Sequence, residues 1–141
     1  RDGFIPAEGA GFLALATHGP WRLTAGVRLG EAAHETRSGD PDVLRHALHL
    51  LWDAAGAPEL IITHATGTVA GATTEDGALA AGPWRSAPRL AMKPAIGHCL
   101  GASGAVELAA ALHAPVARLW KIALGFGGHL CAVAVERVAS A

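Results

Sequence analysis

The sequence predicts an α/β domain, and three observations carry the prediction. Apolar runs alternate with helical periodicity in the order strand, helix, strand, helix, strand. Between Asp42 and Ala55, leucines at 44, 48 and 51 followed by Ala55 keep the three-to-four-residue spacing of an amphipathic helix. Histidine, lysine and a glycine-rich bend fall just beyond the ends of apolar runs, where open α/β sheets collect functional groups.

Taken in order, Gly11 to Ala16 (GFLALA) is a short apolar run after a glycine turn and reads as a buried strand. Trp21 to Leu29 follows the Gly19-Pro20 turn, alternates imperfectly and reads as a half-exposed strand. Glu31 to Gly39 is polar and reads as a loop. Asp40 then caps the first helix, Pro41 fits its opening turn, where an N–H is dispensable, and Gly56 ends it. The stretch ELIITHATGT reads as a buried strand delivering His64 at its C-terminal end. Ala72 to Ala81 is weakly helical, and Arg89 to Pro94 reads as a short strand delivering Lys93. Gly104 to Leu112 is a helix of small residues. RLWKIALGFGGHLCAVAVERV reads as two strands bent at Gly125 to Gly128. No repeat, low-complexity tract or linker interrupts residues 1–141, which read as one unit.

Composition narrows the function. The chain has 141 residues, of which 51% are hydrophobic and 16% charged, enough for one domain with a sizeable core and far from a disordered composition. A net charge of −1 leaves no broad basic surface and argues against nucleic acid. No apolar stretch reaches the ~18–20 residues of a bilayer span, so no membrane role is expected. The opening RDGFIPAEGAGFLALA lacks the pattern of a signal peptide. Cys99 and Cys131 allow one bridge at most. With no secretory framework they fit a reducing, cytoplasmic setting and read as small buried hydrophobes.

His64, His98 and Lys93 make a site suited to negative charge on oxygen. Each neutral imidazole donates one N–H, and the ammonium favours an enolate or tetrahedral oxyanion while opposing a metal cation. A zinc site from His98, Cys99, His129 and Cys131 is disfavoured, because adjacent His and Cys point apart and no CxxC is present. No metal is expected. A single histidine is more often a core or surface residue than a catalyst, and His18, His34, His46, His49 and His113 take that reading, with His46 and His49 on the polar side of the first helix.

These residues lie in recognisable motifs. THATGT (Thr63 to Thr68) and KPAIGHCLGASGAVE (Lys93 to Glu107) resemble the two histidine motifs of β-ketoacyl synthases, AHGTGT and KSxxGHxxGAAGAVE. RDGFIPAEGAG resembles that family's RDGFxxGEGAG, and GFGGHLCAVAV its GFGGTN segment. The four motifs occur in the family's order, with His64 and His98 34 positions apart. The resemblance implies the C-terminal half of a thiolase-like fold, a mixed sheet with packed helices that is incomplete without an N-terminal half. Residues 1–30 resemble the last segments of that N-terminal half.

The resemblance also implies an acyltransferase activity, decarboxylative Claisen condensation of acyl and malonyl thioesters in fatty acid or polyketide biosynthesis. His64 and His98 would polarise the malonyl thioester and hold the enolate, and Lys93 would set the electrostatics and hydrogen bonding around His98. Phe126 would be the gating phenylalanine with its N–H in the oxyanion hole, and Gly125 with the neighbouring glycines would let that backbone approach. Thr66 and Thr68 would bind phosphopantetheine, and Glu107 would act from behind the second histidine. No cofactor is implied beyond substrates carried on phosphopantetheine. The implied partners are an acyl carrier protein and an N-terminal ketosynthase half or ketosynthase-like subunit supplying the nucleophilic cysteine, in a dimer. The alternative is a non-catalytic partner of the chain-length-factor type, or a truncated relic. Four features support it: the missing nucleophilic cysteine, Ala65 in place of the family's glycine, VAGA in place of PLGD with the loss of its acid, and a short span from His113 to Leu124.

Overall fold

A computed structural model describes residues 3–31, 35 and 40–139. Helix α1 (Pro41–Ala55) begins as the sequence predicts. The Asp40 carboxylate accepts the Asp42 N–H at 2.7 Å, and Gly56 closes the helix with φ +72°, donating its N–H to Trp52 O at 2.8 Å. Its Leu44, Ala47, Leu48 and Leu51 are buried, and His46 and His49 are exposed. The loop expected over 31–39 falls mostly outside the described residues, as does His34.

Among the described residues five strands form one sheet in the order β1-β5-β4-β2-β3, with β1 Trp21–Gly30, β2 Leu60–Ile62, β3 Arg89–Leu90, β4 Arg118–Gly125 and β5 His129–Arg137. The Phe126–Gly128 turn folds β5 back beside β4 with Gly125 opposite His129, so β1, β5 and β4 run antiparallel. β4, β2 and β3 run parallel, which requires crossovers. Helix α2 (Val69–Ala80) supplies the first. The turn α3 (Lys93–Ile96) and helix α4 (Ser103–Ala111) supply the second. The connection from α4 to β4 spans only residues 112–117.

The larger core lies between the sheet and α1 with α2. Leu44, Leu48, Leu51, Leu79, Trp84, Trp120 and Ile122 are fully or almost fully buried there, and the Trp84 indole N–H donates to Ala78 O at 3.2 Å. Removing this much apolar surface from water is the main force closing the domain. A smaller cluster of Ile62, Ala111, Leu119 and Val135 joins α4 to the opposite face.

Two expected strands differ. GFLALA is not a strand: Phe12 and Leu15 are 91% and 88% exposed, and no described strand pairs with the segment. Its backbone runs instead against α4, so close that a Cβ on Gly11 would lie 2.6 Å from the Ala105–Val106 peptide. The Arg89–Pro94 strand stops at Leu90, and Lys93 opens α3.

Candidate active site

The chain leaves the sheet after Ile62, and α2 holds the loop that follows. The Glu75 carboxylate accepts the N–H of His64 at 2.5 Å and of Ala65 at 2.7 Å, while Thr68 caps α2 by accepting the Gly71 N–H at 3.1 Å. Ala65 sits at φ +39°, a left-handed conformation that a side chain disfavours. The Thr66 and Thr68 hydroxyls lie 3.1 Å apart.

His98 is placed from the other side. Gly97, at φ +77° and ψ −179°, turns the chain out of α3. The N-terminal segment then laces the histidine loops together. His98 N–H donates to Ile5 O at 2.8 Å, Ala7 N–H to His98 O at 3.1 Å, and Gly3 N–H to Gly67 O at 3.1 Å. Phe4 rests edge-on against the His98 ring, 4.8 Å between centroids.

The two rings lie 5.7 Å apart and perpendicular. The Lys93 ammonium, which can only donate, approaches His64 Nδ1 at 3.5 Å, so the His64 proton sits on Nε2. His98 Nδ1 accepts the Leu100 N–H at 3.2 Å and contacts the Ser103 hydroxyl at 2.9 Å, which puts its proton on Nε2 as well. Burial, with the Lys93 charge second, pushes the His64 pKa down to about 3 and lowers that of His98. Both rings are therefore neutral near pH 7, each with one N–H to give.

Beneath the rings lies a buried ionic cluster. Lys93 Nζ meets Glu107 Oε1 at 2.6 Å and His64 O at 2.5 Å. Lys121 Nζ meets Glu107 Oε2 at 2.6 Å, Ile122 O at 2.6 Å and Thr63 O at 3.4 Å. Lys93 thus bonds to His64, whereas the sequence expectation placed its bonding around His98; His98 is held by Ser103 and the Leu100 N–H. At 3% side-chain exposure, Lys93 lies behind the site.

His64, His98, Thr66, Thr68 and Phe126 line one cleft of about 640 Å³. Phe126 is 65% exposed on the turn after β4, and Gly125 lines the same wall. Cys99 is buried as expected, but Cys131 is exposed and lines the cleft, because on β5 it points away from the buried Leu130 and Ala132. Among the described residues no three His, Cys, Asp or Glu are grouped to hold a metal ion, and no helix is long and apolar enough to cross a membrane.

Sequence reasoning missed Glu75, Ser103, Phe4 and Lys121. For Lys121 a signal existed: one lysine between Trp120 and Ile122 in an otherwise apolar strand.

A model of the family described as "Beta-ketoacyl synthase, C-terminal domain" matches residues 24–120. A search of curated proteins finds no match. Among solved structures, the ishigamide ketosynthase/chain length factor superposes with a TM-score of 0.74 at 21% identity, over 83% of this chain and 38% of that one. The type II PKS acyl-carrier protein in complex with its ketosynthase bound to the hexaketide gives 0.76 at 18% identity, over 86% and 40%. A β-ketoacyl synthase from Burkholderia phymatum STM815 gives 0.74 at 20% identity, over 83% and 37%. At such identities the likeness establishes a ketosynthase-like fold, and this chain spans well under half the length of each.

Proposed function

The chain belongs to the β-ketoacyl synthase family through that C-terminal domain, and we propose that it supplies the histidine side of a decarboxylative Claisen condensation of acyl and malonyl thioesters. The observation that carries this reading is the pair of neutral imidazoles, each with its Nε2–H free of the ionic cluster, 5.7 Å apart on one cleft. As the malonyl C–C bond breaks, CO₂ leaves and the electron pair passes into the thioester as an enolate. Its oxygen accepts the two N–H bonds, which preorganised donors in a dry site make strong. The enolate carbon then attacks an acyl thioester. The new C–C bond forms, the acyl C–S bond breaks, and a thiolate departs.

That thiolate comes, on this reading, from a cysteine of an N-terminal ketosynthase half or ketosynthase-like subunit. The exposed Ile5, Phe12 and Leu15 along the segment over α4 support a partner of that kind. Thr66 and Thr68 on the cleft wall would hydrogen-bond the phosphopantetheine of an acyl carrier protein. Phe126 and Gly125 would bound the acyl entry, and Lys93 with Glu107 would position His64 from behind. A non-catalytic partner role of the chain-length-factor type is the second reading, favoured by Ala65 at φ +39° where the family carries glycine.

His98→Ala separates the two readings. In the complex with the subunit that co-purifies from the native source, malonyl decarboxylation should fall by ~10²-fold or more. Unchanged turnover would reject the catalytic reading in favour of the partner role.

A further inference from the structure

Lys121 is the one member of the buried cluster that none of the motifs accounts for. It projects from β4 on the α4 side of the sheet and is 4% exposed. An ammonium can only donate, and Lys121 reaches three different elements: it donates to Ile122 O of β4 at 2.6 Å and to Thr63 O, just past β2, at 3.4 Å, and its charge pairs with Glu107 Oε2 of α4 at 2.6 Å. Thr63 is the residue before His64, whose own carbonyl is held by Lys93. The two lysines thus grip both oxygens of Glu107 and two consecutive carbonyls of the chain that delivers the first histidine.

Charge neutrality does not require the second lysine. Lys93 already pairs with Glu107 one to one, and the other carboxylate within electrostatic reach of Lys121, Glu75, already accepts the His64 and Ala65 N–H groups. Keeping a second ammonium buried there carries a desolvation cost. Burial depresses the Lys121 pKa, against the pull of Glu107. An apolar side chain of similar length would fill the space without that cost, so the ammonium has a use other than packing.

We propose that Lys121 is a positioning residue for His64: by bonding Glu107, Ile122 O and Thr63 O together, it fixes the chain before His64 against β4 and so sets which ring nitrogen faces the cleft. The proposal rests on the reading of His64 as a donor to an enolate oxygen. The charged and titratable groups around that ring are Lys93 from α3, Glu107 from α4, Glu75 from α2, Lys121 from β4 and His98. The Lys121 charge adds to that of Lys93 in favouring the uncharged ring.

The test is ¹⁵N NMR of histidine-labelled chain carrying Lys121→Met. The Lys93–Glu107 pair remains in place, so the variant should stay folded. His64 should nevertheless lose its pure Nε2–H tautomer and titrate at least about half a pH unit higher. Lys121→Gln keeps a donor but no charge, and should move the titration in the same direction. Folded variants with His64 tautomer and titration unchanged would overturn the proposal. So would failure of both to fold, which would assign Lys121 to stability alone. The readout is the ring and not turnover, so rejection of the condensation reading through His98→Ala would leave this outcome separately decided.

Discussion

Gly97 holds the backbone that aims His98, and Gly97→Ala tests how tightly that geometry is specified. Its φ of +77° and ψ of −179° lie in a region essentially reserved for glycine, where a side chain costs ~1–3 kcal/mol. A Cβ there would also sit 2.5 Å from the Ala7 Cβ and 3.2 Å from Ile5 O. Forcing an added methyl into packed structure costs a further ~1–3 kcal/mol. The expected loss is therefore ~2–6 kcal/mol, a large share of the ~5–15 kcal/mol that holds a typical domain. The two parts can be separated. Ala7→Gly removes the opposing methyl but not the backbone strain, so Ala7→Gly with Gly97→Ala should recover ~1–3 kcal/mol of the loss relative to Ala7→Gly alone. Urea unfolding of the four chains measures this directly. A loss below ~1 kcal/mol for Gly97→Ala would mean that the N-terminal segment yields freely, and with it the hydrogen bonds Ile5 and Ala7 make to His98. An absent recovery in the double variant would refute the steric half of the reasoning.

Two further outcomes follow from the loop that carries His64. Its pKa is near 3 folded against 6.5 as reference, so between those values the unfolded chain binds the extra proton and stability falls as pH drops. From pH 7 to 5 the loss from His64 is about 2 kcal/mol. His98 steepens the slope, while Glu75, its pKa raised by burial, opposes it as it protonates; His64→Gln should remove about 2 kcal/mol of the pH 7-to-5 difference in denaturant titrations, and an unchanged slope would contradict the assignment. Ala65→Gly should raise the melting temperature, because relief of a positive φ outweighs the greater freedom glycine gives the unfolded chain; a lowered melting temperature would show that Ala65 is not strained.

What the sequence determined by itself was whatever depends on near neighbours. The Asp40 cap, Pro41, the leucine stripe and Gly56 specify α1 within about one turn at each end, because capping and periodicity are local. The glycines at 125 to 128 likewise specify the return of β5 on β4, and the two histidine motifs were legible because each is a contiguous run of residues. Tertiary structure decided what contacts what. GFLALA carries the apolarity of a strand, but apolarity does not name a partner, and here the segment lies across α4 with Phe12 and Leu15 exposed. Cys131 read as buried because its strand is apolar; only the pairing of β5 fixes which alternate side chains face the cleft. Lys93 was found from its motif, yet its bond to His64 depends on β2 and β3 lying side by side. Glu75 and Lys121 act on the same loop from α2 and β4, 11 and 58 residues from their backbone partners, distances over which sequence spacing carries no geometric information.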